Sequence, residues 1–247
     1  MKRFQATILS SAAVIVFSAA PVPAQDNQVY IEQQGSANTL FIDQSEASGS
    51  TVRGLEMTSG GSVTATERWT DTVVVRDEAG DEVTETVEFS ETATARTVAY
   101  ENADRALQDG VGNSASITMT GNGGTARLLQ DGNGNVGALN VGAGGLGALG
   151  QQGTGNIASL MVGPGSSGTI LQDGDDNEGS LNVEDGSGFL SQLGSNNTAQ
   201  FTVLNGQNVT YIQNGSNLSA INPGTGVTVD TNSAGGVTII QSVIGGN

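Results

Sequence analysis

The chain has 247 residues, a formal net charge of −17 and 37 glycines, with no histidine and no cysteine. Without those two residue types the usual nucleophilic triads, thiol nucleophiles and zinc sites have nothing to be built from, and disulfides contribute no stability. The acidic balance argues against nucleic acid and anionic lipid as partners, because both are bound through positive charge.

Residues 1–24 read as a secretory signal peptide. Lys2 and Arg3 form a basic start, an apolar stretch runs from Ile8 to Ala20, and Val22-Pro23-Ala24 supplies small residues for cleavage before Gln25. The run is too short for a comfortable membrane span and no other is longer, so no stable span is expected. Cleavage removes Lys2, the chain's one lysine, and Arg3, and leaves all 25 acidic residues in an exported protein.

Residues 25–43 hold the first copy of a pattern that returns later, IEQQGSANTLFIDQ at 31–44. Residues 44–105 differ in kind: an acidic, β-rich insertion alternating Thr or charge with Val and aromatics. The pattern predicts a β-hairpin around Glu78-Ala79-Gly80-Asp81 with a third strand near 92–100. Two readings compete: an antiparallel appendage inserted into the repeats, or degenerate coils continuing them. Charges on strand positions favour the appendage. Trp69, the one tryptophan, is expected to pack on the hairpin, and a ligand-stacking role would rest on a single aromatic.

Residues 106–247 carry the repeats. LLQDGNGNVGALNV at 128–141, LGQQGTGNIASLMV at 149–162 and ILQDGDDNEGSLNV at 170–183 share the frame Q-x-G-x-x-N. Its glutamines are Gln108, Gln130, Gln151, Gln172, Gln192 and Gln213, at spacings of 22, 21, 21, 20 and 21 residues, with Gln33 upstream. Its glycines are Gly35, Gly110, Gly132, Gly153, Gly174, Gly194 and Gly215. Its asparagines are Asn38, Asn113, Asn135, Asn156, Asn177 and Asn197, and the last copy has Leu218 where Asn is due. An aliphatic or aromatic residue stands two places before most of the glutamines, a small residue seven places after, and apolar residues nine and eleven places after. That is the period of two of β-structure on either side of a G-x-x-N turn. Gly is free to take positive φ there and Asn can bond locally. Each repeat is therefore strand–turn–strand–turn. The strands VTVD and VTIIQSVI near the end look like one last coil, with a ragged copy of the frame around Gln241 and no cap.

One such unit cannot fold alone. Three inward aliphatics contribute roughly 5–9 kcal/mol of burial, against on the order of 20–40 kcal/mol to order ~21 backbones. Stacking makes up the difference and predicts an all-β solenoid, two parallel sheets facing each other across a thin core. Like residues then lie above like. The inward glutamines form a column whose amides bond along the stack, and the asparagines do the same at the turn.

Asp131, Asp173, Asp175, Asp176 and Glu178 are hard oxygen donors of the kind calcium takes. Neither the 12-residue EF loop nor the nine-residue β-roll period is present. Solvated turn carboxylates bonding their own backbone are the favoured reading, so no metal, cofactor or catalytic site is expected.

The frame resembles the curlin repeat of curli fibre subunits, Q-x-G-x-x-N-x-A-x-x-x-Q. The resemblance covers 31–44 and 106–221. The copy at 31–44 ends on the family's second glutamine, Gln44, whereas Met119, Val141, Val162, Val183 and Val203 stand at that place in later copies. One ladder is thus kept and the other turned aliphatic. The resemblance implies a secreted subunit or nucleator of an amyloid-type surface fibre (a fimbrium or pilus in the broad sense). It would support cell adhesion, aggregation and biofilm matrix. It also implies self-association into a homopolymer or a mixed fibre, and export from a Gram-negative cell through an outer-membrane pore with helper proteins. The Gly/Asn-rich leader usual before the first curlin repeat is missing. The alternative is a monomeric, capped β-solenoid adhesin or binding module, with calcium as a candidate stabiliser and 44–105 covering the end of the stack.

Overall fold

The structure, a computed structural model, describes residues 3–8, 14–18, 26–76, 82–220, 227–228 and 237–242. Among them there is no helix. The strands in chain order are β1 (Arg3–Ile8), β2 (Val14–Ser18), β3 (Gln28–Gln33), β4 (Thr39–Glu46), β5 (Thr51–Arg76), β6 (Glu82–Ala103), β7 (Ala106–Val111) and β8 (Ser114–Thr120). They continue as β9 (Thr125–Asn133), β10 (Val136–Gly142), β11 (Leu146–Thr154), β12 (Ile157–Val162), β13 (Ser167–Asp173) and β14 (Glu178–Val183). The last are β15 (Gly186–Leu193), β16 (Thr198–Val203), β17 (Gln207–Asn214), β18 (Ser219–Ala220), β19 (Val227–Thr228) and β20 (Val237–Ser242).

The repeats wind into a parallel β-solenoid of about 7 turns with about 21 residues per coil. The first strand of each coil joins one sheet, in the order β3, β7, β9, β11, β13, β15, β17, β20, and the second strand joins another. Register follows the sequence frame. Gln151 stands opposite Gln130 and Gln172, and Leu160 opposite Leu139 and Leu181. The inward aliphatics of both sheets form one continuous core, in which Leu128, Leu149, Ile170 and Leu190 are fully buried.

The small residue seven places after each glutamine from Gln108 onward has a steric cause; the first coil has Leu40 in that register. A Cβ on Gly137 would lie 2.7 Å from Leu149 Cδ2 and 3.3 Å from the Gln130 amide nitrogen. Between neighbouring full repeats the space admits Gly or Ala, and the Ala copies at Ala115, Ala158 and Ala199 are all buried.

The outer faces of the two sheets differ. On the second sheet the strands alternate buried and exposed, as in β12, where Ile157 and Met161 are each about half exposed. The first sheet is covered on part of its outer face as well, while Val111 and Asp131 stay exposed. Its outward column, one place before each glutamine, includes Leu129, Leu171, Ser191 and Ile212, all buried. The cover is the hairpin of β5 and β6.

That hairpin is an antiparallel appendage, not a set of degenerate coils. Residues 51–54 pair in parallel with β3 and β9, in line with β7. The chain leaves the second coil at Gly54 and re-enters it at Ala106, so the insertion proper is 55–105. Residues 44–54, read from sequence as part of the insertion, finish the first coil and start the second. The expected third strand near 92–100 is instead part of β6, which runs unbroken from Glu82 to Ala103. The expected turn at 78–81 and the Trp69 side chain lie outside the described residues, although the ladder sets Trp69 opposite Phe89.

Charged groups hold the root of the hairpin. Arg127 donates to the Gly54 carbonyl at 3.0 Å, Arg105 meets Glu32 at 3.4 Å, and Arg53 lies over the Tyr30 ring at 5.2 Å. Leu55 and Val98 then pack on Leu129, Ala148 and Leu171, and the Val98 amide donates to Ser191 Oγ at 3.4 Å.

Both ends of the stack carry further strands. β1 and β2 lie parallel to β3 and β4, with Ile8 opposite Gln33 and Phe17 opposite Ile42. The expected cleavage point at Ala24 lies outside the described residues. At the other end the sequence suggests one last coil, and the structure divides that stretch. β18 and β19 both pair with β16 and complete one coil's second strand, while β20 opens the next coil on β17, with Gln241 opposite Gln213.

Leu160 is 1% exposed at the middle of the core. Leu160→Ala is expected to lower unfolding stability by about 2–5 kcal/mol, measured by denaturant titration of the purified protein. Met161→Ala, one residue along and on the open face, is expected to change it by no more than about 0.5 kcal/mol.

Candidate functional site

The glutamine column is a continuous hydrogen-bonded ladder. The Nε2 of Gln33 donates to Oε1 of Gln108. The chain continues from Gln108 to Gln130 at 2.6 Å, Gln130 to Gln151 at 2.9 Å, Gln151 to Gln172 at 2.9 Å, Gln172 to Gln192 at 2.7 Å and Gln192 to Gln213 at 2.8 Å. All seven side chains are fully buried. The second amide hydrogen crosses to the other sheet: Gln151 Nε2 also donates to the Val136 carbonyl at 3.1 Å, and Gln172 to Ile157 at 3.0 Å. Each glutamine from Gln108 to Gln192 therefore bonds the coils above and below and ties the two sheets together. Seven buried amides without such partners would be prohibitive.

The asparagines also bond along the stack at the turn, as expected, but mostly through the backbone: each Oδ1 from Asn38 to Asn177 accepts the main-chain amide of the next asparagine. Asn113 Nδ2 donates to the Asp109 and Gly132 carbonyls, both at 2.8 Å, and its Oδ1 accepts the Asn135 amide at 3.0 Å. Asn135, Asn177 and Asn197 likewise donate to the next coil's glycine carbonyl. Side-chain bonds between asparagines join Asn156 to Asn135 and Asn177 to Asn156, at 3.1 Å each. Asn38 follows the backbone pattern with Gln34 and Gly110.

Those glycine carbonyls explain the invariant glycine. Gly132 has φ 121°, and a Cβ there would stand 2.0 Å from the Gly153 carbonyl oxygen. Gly35, Gly110, Gly153, Gly174, Gly194 and Gly215 share the positive φ. The turn glycines thus form a column in which backbone meets backbone.

The five acidic candidates do not converge. Asp175 Oδ1 accepts the Thr154 amide at 2.8 Å, a role that Asn133 fills one coil earlier for Val111. Asp176 occupies the left-handed turn position (φ 54°) held by Gly155 and Asn196 in neighbouring coils. Asp131 and Asp173 stand on the first sheet, and Glu178 opens a strand of the second. Among the described residues no three acidic side chains form a group able to hold a metal ion. Burial beside the hairpin pushes the Asp173 carboxyl above its ordinary range, in a groove of about 550 Å³ that Met57, Arg96, Gln152 and Leu193 also line.

The ladder is polar, with every amide donating toward the C-terminal end, and its first acceptor is open. Gln33 Oε1 is buried with no partner, and the residue in register above it is Ile8, which has no donor to offer. Gln44 is open on the same coil. Its Nε2 is buried without a partner, because the aliphatic column leaves no amide to continue a second ladder. The first coil therefore holds one unmet acceptor and one unmet donor.

Sequence reasoning found the ladder and the turns and missed the column one place before each glutamine, where the hairpin docks. The signal was present as adjacent apolar pairs: Leu128-Leu129, Ile170-Leu171 and Tyr211-Ile212. Such pairs break the alternation and mark a strand buried on both faces. Comparison of the chain with models of known protein families, with characterised proteins and with solved structures gave no match.

Replacing Gln151 with Leu strands the Gln130 amide and the Gln172 acceptor. At about 1–3 kcal/mol for each unmet group, the variant is expected to lose at least about 2 kcal/mol in denaturant unfolding. The raised Asp173 pKa gives a second expectation. Its stabilising contribution is fully present below the ordinary value of 3.8 and is lost as pH rises through the folded value. Asp173→Asn should therefore melt higher than the parent at pH 7, and the difference should vanish below about pH 3.8.

Proposed function

We propose that the chain, once residues 1–24 are removed, is an exported curlin-like subunit or nucleator of an amyloid-type surface fibre serving adhesion, aggregation and biofilm matrix. The β-solenoid fold is compatible with a fibre or adhesin-type protein. The observation that carries the finer reading is the unmet pair on the first coil, the Gln33 acceptor and the Gln44 donor. In the full-length chain β1 and β2 cover that coil's edge with residues that continue neither amide column. Removing them leaves the backbone edges of β3 and β4 open to another coil, and an open strand edge is a template for pairing. A coil bearing glutamine in register answers the Gln33 acceptor. Gln241 of β20, in register with Gln213, is such a residue at the opposite end of the stack. Templated addition of copies, last coil onto first, then extends the sheets and the amide column across the junction.

The capped binding module is less well supported. It requires the insertion to cover an end of the stack, whereas the hairpin lies along the side of the first sheet.

The test is assembly of purified residues 25–247, followed by electron microscopy and fibre diffraction, with and without calcium. Filaments with a spacing near ~4.7–4.8 Å that seed fresh monomer are expected. A stable β-rich monomer that never seeds sinks the reading. Gln33→Leu in the same chain should separate folding from assembly: the open acceptor only moves from Gln33 to Gln108, so the monomer should lose less stability than Gln151→Leu does, while elongation slows.

A further inference from the structure

The two sheets offer different outer faces to a neighbour. On the first, the hairpin covers the middle, and Asp109, Asp131 and Asp173 stand on the outward column after the glutamines. On the second, the outward positions of five consecutive strands, β8, β10, β12, β14 and β16, hold one charged side chain, Glu178. In a chain of net charge −17, that is the face on which two copies repel each other least. It also carries three of the four large hydrophobic side chains exposed among the described residues, Val136, Ile157 and Met161.

The in-register ladder sets these side chains in three columns parallel to the stacking axis. The central column is small: Ser116, Ala138, Ser159 and Ser180 follow one another. On one side of it Val136 and Ile157 stand in line, and on the other Asn140, Met161 and Asn182. The face is a furrow between two ridges, repeating at the strand spacing of roughly 4.8 Å. A partner that fills the furrow along its length needs a ridge of the same repeat, and the same face of a second copy has one. Two copies laid face to face about a two-fold axis parallel to the stack, offset by one column, each set a ridge in the other's furrow. Close contact between like sheets through small and apolar side chains is the packing of a steric zipper.

We propose that the outer face of the second sheet is the surface on which two filaments of this chain pair side by side. This rests on the end-to-end stacking proposed above. Size makes the pairing a property of filaments and not of single chains. Five strands by six residues measure roughly 24 by 20 Å. Two such faces bury about 1,000 Å² together, at the lower limit for a specific interface. Single copies therefore separate. In a filament the stacked neighbours hold each face against the next, and the small areas act together.

The test uses filaments of residues 25–247. Ala138→Glu with Met161→Glu puts two charges on the face, beside the neutral register neighbours Ser116, Ser159, Asn140 and Asn182. Glu178 already shows a carboxylate accommodated at an outward position of this sheet. The double variant is expected to fold and elongate as the parent does but to give single filaments, with about half the parent's mass per length in electron microscopy. A second variant leaves the face nearly intact. The chain has no cysteine, so Ser159→Cys supplies one thiol per copy. Successive copies in one filament place that thiol about 7 coils apart, roughly 34 Å, so a short bismaleimide joins it only across paired filaments. Covalent dimers are expected from filaments and not from the unassembled chain. Single parent filaments, pairs that persist in the double variant, or pairs that give no Ser159→Cys dimers each overturn the lateral face and leave end-to-end stacking standing. Dimers formed equally by the unassembled chain overturn the dependence on stacking. A parent chain that forms no filaments overturns both readings.

Discussion

Everything in this molecule is held in phase by the buried glutamine column. A hydrophobic core one side chain thick tolerates sliding, because one aliphatic replaces another at little cost. An amide inside that core does not. It must meet the amide above, the amide below and a carbonyl of the facing sheet, and a slip of one residue would leave every coil with unmet polar groups. The ladder thus converts a permissive stack into one with a single register. The other regularities follow from it: the small residue that gives the amides room across the core, and the glycine whose carbonyl receives the next coil's asparagine.

The two amide residue types divide the work. Glutamine, with the longer side chain, reaches its own kind along the axis. Asparagine, held in the turn, spends its hydrogen bonds on nearby carbonyls and shapes the arch between the sheets. Where the frame fails at Leu218, that residue's amide still donates to Asn197, but no side chain passes the pattern on. The chain then needs two short segments, β18 and β19, to complete the strand beside β16.

The insertion changes what kind of solenoid this is. Covering the middle of the first sheet leaves the second as the more open lateral surface, with Val136, Ile157 and Met161 exposed. Gly150 and Ser191 interrupt an otherwise aliphatic outer column, and Met57 and Val98 lie against them. The hairpin therefore fits its sheet side chain by side chain. In the fibre reading, the backbone edges of the terminal coils carry growth along the axis.

The sequence by itself determined the coil. The frame, its spacing and the aliphatic columns state which residues face inward and which stack, because in a parallel in-register solenoid the neighbour of each residue is its own repeat-mate. Local periodicity and long-range contact are then the same information. Tertiary structure alone decided what breaks that equivalence. Residues 51–54 read as insertion because their pairing with β3 and β9 is completed only by β7, some fifty residues later. The course of the hairpin, its docking column and the unmet amides of the first coil are likewise relations between segments that share no repeat. They are set by length, by packing and by which edge of the stack a strand lands on, and no pattern within one coil encodes them.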